Sequence, residues 1–196
     1  MKNAGRWMMI VAVAPSVAEA HLTSSGLGPF YDGLLHLMTS PEDLAAAIAL
    51  ALLCGLRGAD HGRRAFFVVP LAWLLGSLGG LVALTPQGND IVSASWLLLL
   101  GALIAFDAKL PLAATTALGA LLGLMHGYSN GSGMNLTLAV VLALIGLATA
   151  VATMTVLPAA AGVRFGGGST RIALRVAGSW IAASGLLLLG WSIRSP

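Results

Sequence analysis

Six long apolar runs, at about 42–58, 64–84, 91–107, 111–127, 134–161 and 171–193, alternate with short polar connections along the chain. Each run approaches or reaches the ~17–25 residues that a tilted helix needs to cross a ~30 Å hydrocarbon core. The connections carry turn chemistry: Arg57-Gly58, the stretch from Thr85 to Asp90, Lys109-Leu110-Pro111, the stretch from Tyr128 to Gly133, and Gly166-Gly167-Gly168. The pattern predicts an all-α fold, a polytopic membrane helix bundle with six transmembrane helices in residues 42–196 and no soluble domain. Small residues recur four apart at Gly76/Gly80, Gly119/Gly123 and Gly123/Gly127, which lets helix backbones approach closely and suggests that the fourth run is buried.

Ahead of the runs, Lys2 and Arg6 precede a short apolar stretch, Trp7 to Ala14, and then Ala18-Glu19-Ala20. A basic start, a short apolar centre and a small-x-small site read as a signal peptide over residues 1–20. Cleavage after Ala20 makes His21 the mature N-terminus, followed by a periplasmic segment over 21–41. Basic residues give an independent reading of orientation. With residues 21–41 outside, Arg57, Arg63, Arg64, Lys109, Arg164, Arg171 and Arg175 fall inside and only Arg194 outside. Both readings give a bacterial inner-membrane protein with its mature N-terminus in the periplasm. Trp96 and Trp191 suit the interfacial aromatic belt, and Trp73 and Trp180 suit deeper packing.

Composition agrees: 58% of the residues are hydrophobic and 9% charged, and the mean hydropathy is +0.91. The formal charge of +3 is spread too thinly to make a nucleic-acid surface. Cys54 is the one cysteine and sits in an apolar run, so it forms no intramolecular disulfide or thiolate cluster and serves packing or the lipid face.

The topology sorts the polar residues by side. His21, Asp32, His36, Glu42, Asp43, Asp90, His126 and Asn130 fall outside; Asp60, His61 and Asp107 fall inside. Imidazole and carboxylate ligands suit borderline divalent ions such as nickel, cobalt or zinc. Glu42 and Asp43 also read as acids in the first turn of a helix, after an N-cap Ser40 and Pro41 at its first position. His36, on a short amphipathic segment, reads as a ligand, a gate or an interfacial anchor, and His126 as a ligand or as a donor to free helix-end carbonyls. Asp60 offsets a basic loop, with Asp60 and His61 as exit ligands the alternative. His21 adds an amine-plus-imidazole chelate. No nucleophile–base pair, phosphate loop or zinc-protease helix is visible, so the chain reads as no enzyme and as tightly binding no cofactor.

The stretch from His21 to Gly58, with Gly26-Leu27-Gly28-Pro29-Phe30-Tyr31-Asp32-Gly33 at its centre, followed by Arg63 to Gly76, resembles the HupE/UreJ family, in its short branch. That family's first motif is a His, five residues, then Asp-His. Here His36 takes the first position, Glu42 the Asp place and Asp43 the second His place. Its second motif, Phe-His-Gly-x-Ala-His-Gly-x-Glu, stands here as Met125 to Gly133, with His126 kept, Asn130 in the second His place and Gly133 in the acid place. The resemblance implies a small permease for Ni2+ or Co2+, or a non-transporting accessory protein, serving urease or hydrogenase maturation and its proteins. On this reading His36, Glu42, Asp43 and His126 are the metal residues, and His21, Asp32, Asn130, Asp60 and His61 are weaker candidates.

Overall fold

A computed structural model describes residues 25–82, 90–165 and 167–194. The expected signal peptide and His21 lie outside the described residues. Seven helices follow in order among those described: α1 (Pro29–Thr39), α2 (Pro41–Arg57), α3 (Ala59–Gly80), α4 (Asp90–Ala105), α5 (Leu112–Gly131), α6 (Leu138–Phe165) and α7 (Gly168–Arg194). Gly28, at φ 104°, turns the chain into α1, and Pro29 opens that helix with a φ already suited to it. Pro41 cannot donate to the preceding ladder, so α1 stops and the chain bends by 78° into α2. Ser40 occupies the N-cap position but makes no capping bond to α2; its hydroxyl lies 3.4 Å from His36 Nε2 instead.

Each apolar run contains a helix among the described residues, but the expectation of six transmembrane helices is not met. Among the described residues only α6 and α7 are long and apolar enough to cross a membrane, and α1 with α2 makes a third if the bent pair is one span. The reasons are local. The 16 residues of α4 reach about 24 Å, short of the hydrocarbon core. Helix α3 starts with Asp60, His61, Arg63 and Arg64, and α5 dilutes its apolar residues with Thr115, Thr116, four glycines, His126, Ser129 and Asn130.

Helix α2 is the centre of the bundle, with Ala46, Leu50, Leu53 and Cys54 fully or nearly fully buried. It packs on α6, α4 and α3; α3 pairs with α5, α4 with α7, and α1 lies across α6. Trp73, Leu100, Ile104, Leu122 and Leu147 complete the core. Helix α7 buries only Gly178 and Gly185 and presents Ile172, Leu187 and Trp191 outward. Trp96, expected at the interface, is buried, whereas Trp180, expected deeper, is exposed.

The α3–α5 contact is set by small residues. A Cβ on Gly123 would stand 2.7 Å from the Val69 carbonyl oxygen, and one on Gly127 would overlap the Trp73 carbonyl. Only glycine allows the two backbones this close, and the approach puts Trp73 beside His126. At the other end of α2, Arg57 and Arg171 both grip Asp107, which takes a left-handed φ of 53° in the α4–α5 connection. Burial there opposes ionisation of Asp107, but the hydrogen bonds and charges of the two arginines outweigh it and hold its carboxyl below the usual range.

Candidate functional site

Asp43 lies in the first turn of α2, and its side chain is only 5% exposed. An unpaired carboxylate so buried would be costly, and the neighbouring helix removes that cost with two donors. His126 Nδ1 is 2.6 Å from Asp43 Oδ1, and Asn130 Nδ2 donates to Asp43 Oδ2 at 2.9 Å. His126 and Asn130 are four apart on α5 and so share one face. Behind them, Trp73 Nε1 on α3 donates to Asn130 Oδ1 at 2.8 Å, and the Trp73 ring lies tilted against the imidazole, 5.3 Å between centroids. Three helices thus hold one chain of hydrogen bonds.

The order of donors fixes the imidazole. Asp43 accepts, so Nδ1 carries a hydrogen, and in the neutral ring Nε2 is left with its lone pair. That nitrogen is buried and has no hydrogen-bond partner among the described residues. A histidine whose Nδ1–H is held by a carboxylate while Nε2 stays open is the usual form of a metal-ligating imidazole, because the carboxylate orients the ring and raises its basicity. A cavity of about 440 Å³ adjoins His126 between α3, α5 and the start of α4, with Leu75, Gly79, Val92, Met125 and Tyr128 in its wall.

The remaining candidates are scattered. His36 is buried on α1, and its Nε2 lies 3.4 Å from the Ser40 hydroxyl rather than beside His126 and Asp43 in their hydrogen-bond chain. Among the described residues no three His, Cys, Asp or Glu side chains form a group that could hold a metal ion. Glu42 is exposed in the first turn of α2, so the acidic pair divides: one acid faces outward and the other enters the core. Asp32 accepts the Ser25 amide. Asp60 pairs with Arg63 at the surface, and His61 Nδ1 meets Thr115 Oγ1 at 2.8 Å, tying α3 to α5. Sequence reasoning missed Trp73 as a partner of Asn130. The glycine spacing of α5 foretold a close neighbour but could not say which helix it was.

The family described as HupE / UreJ protein matches residues 9–188, nearly the whole chain and both halves of the Asp43–His126 pair. The chain belongs to the HupE/UreJ family. HupE/UreJ proteins are non-catalytic membrane transporters and accessory proteins, and the apolar helices of this member fit the membrane. The chain is similar to Protein HupE of Rhizobium leguminosarum bv. viciae, 27% identical over 180 residues that cover 89% of this chain and 91% of that one. No solved structure matches. The expected resemblance therefore stands, and with it a general link to metal handling.

Proposed function

We propose that this HupE/UreJ protein admits a divalent transition metal, Ni2+ or Co2+, through the bacterial inner membrane for urease or hydrogenase maturation, with His126 Nε2 as the nitrogen that takes the ion. The observation that carries the reading is the buried Nε2, without a partner among the described residues, on an imidazole whose other nitrogen is held by Asp43. Asp43 orients the ring, and Asn130 and Trp73 fix Asp43 in turn. One imidazole with water completing the coordination binds less tightly than a full protein cage. That suits passage, which needs an ion to leave as well as arrive. His36, buried in the last turn of α1 just ahead of α2, is an earlier contact on the same path.

We assign the outer side to the Asp43 end of α2, because basic residues gather at its other end, where Arg57 and Arg171 meet Asp107 and Arg175 donates to the Ala105 carbonyl. Uptake of radiolabelled nickel and cobalt into proteoliposomes tests the reading. Wild-type protein should exceed empty vesicles, His126→Gln should fall to background with normal folded yield, and Asp43→Asn should need about 10–100-fold more metal. Wild-type uptake no faster than empty vesicles for either ion would end the permease reading and leave a scaffold that docks maturation proteins.

A further inference from the structure

A second cavity, of about 470 Å³, runs between the start of α3 and the end of α6. Its depth is apolar, with Gly62 and Phe66 on one wall and Val156 and Ala160 on the other; Arg63 and Arg164 stand among its lining residues. Val156, Ala160 and Arg164 are four apart, so they form one stripe of about 12 Å that ends in a guanidinium. Helix α6 is long and apolar enough to cross the bilayer, so its Arg164 end marks an interface, and the apolar depth of the groove faces hydrocarbon. The charged residues of its lining are both basic, Arg63 and Arg164, and Asp60, the ion-pair partner of Arg63, lies outside it. Asp60 does not hold Arg63 firmly, since that pair is about three-quarters exposed, at 72% and 74%.

We propose that this groove binds one anionic phospholipid, with an acyl chain between Phe66 and Val156 and the phosphate between Arg63 and Arg164. Guanidinium groups match phosphate oxygens in geometry and charge, and a basic pocket between helices at an interface is where such headgroups collect. The groove shares no lining residue with the cavity beside His126, so lipid and metal bind separately.

Native mass spectrometry of the full chain, released from detergent with added phosphatidylglycerol or with phosphatidylcholine of the same chains, tests this. Phosphatidylglycerol should be retained preferentially. Arg63→Gln with Arg164→Gln should weaken retention roughly thirtyfold, about fivefold per arginine, and the two lysine substitutions should recover part of it. Ala160→Trp should abolish retention with both arginines present, and Arg194→Gln, at the opposite end, should change nothing. Equal retention of the two lipids, or an unchanged double glutamine variant, would overturn the proposal. So would displacement of the lipid by millimolar inorganic phosphate, or a dimer mass abolished by Ala160→Trp, which would make the occupant a free anion or a second copy.

Discussion

The hydrogen-bond order around Asp43 makes a prediction that no single substitution can imitate. In Asp43→Asn the new amide oxygen can still accept from His126 Nδ1, but its NH2 group then faces Asn130 Nδ2, which in the native protein donates to Asp43 Oδ2 at 2.9 Å. Turning the Asn130 amide over only moves the conflict to Trp73 Nε1, which natively donates to Asn130 Oδ1 at 2.8 Å. One buried donor stays unsatisfied in either case, at a cost of about 1–3 kcal/mol. Asn130→Asp alone sets two carboxylates oxygen to oxygen and should cost at least as much. Combining the two substitutions restores every contact. His126 donates to the new amide oxygen at position 43, the NH2 of that amide donates to the new carboxylate at position 130, and the same carboxylate accepts from Trp73. Thermal unfolding in detergent, monitored by loss of the monodisperse peak, should show each single variant several degrees below wild type, at about 2–4 °C per kcal/mol for a chain of this size. The double variant should regain most of the loss, with a coupling of about 1–3 kcal/mol. It should not regain metal uptake, because the charge no longer touches the imidazole. Two losses that simply add would refute the donor order around Asp43.

Other predictions follow from the packing. Gly127→Ala places a methyl group on the Trp73 carbonyl, spreads α3 from α5 and should cost about 1–3 kcal/mol in the same unfolding assay; it should also lower nickel uptake by shifting His126. The folded carboxyl of Asp107 ionises below its ordinary pKa of 3.8, so its contribution is complete above that value and is lost as pH falls through the lower folded one. Asp107→Asn should therefore be less stable than wild type at pH 7, and the gap should close on acidification below about pH 4, read as converging unfolding midpoints.

The helices were legible because a backbone in lipid must satisfy its own hydrogen bonds, so apolar runs between turn residues become helices. Even the short Gly33-Leu34-Leu35-His36 segment proved helical, in α1. How many helices cross was not legible. Counting apolar residues passes α4, whose axial length falls short, and α5, whose glycines and polar residues serve packing and the site rather than lipid. The site was half legible. The two motifs pointed to Asp43 and His126, yet nothing in residue spacing says that positions 83 apart meet at 2.6 Å. Glu42 and Asp43 look equivalent in the sequence, and only the packing of α2 against α5 separates the buried acid from the exposed one. Asp107 carried no motif; its importance comes from Arg57 and Arg171 arriving from two other helices.

In the proposed function, His126 offers Nε2 to a metal while Asp43 keeps the hydrogen on Nδ1. Nitrogen NMR of full-length protein labelled with 15N-histidine, titrated with diamagnetic Zn2+ and assigned by comparison with His126→Gln, reads both nitrogens directly. His126 should show a protonated Nδ1 and a bare Nε2 before metal, and that Nε2 alone within the ring should shift as Zn2+ is added. A protonated Nε2, or a His126 ring unchanged by metal while His36 responds, would contradict that role.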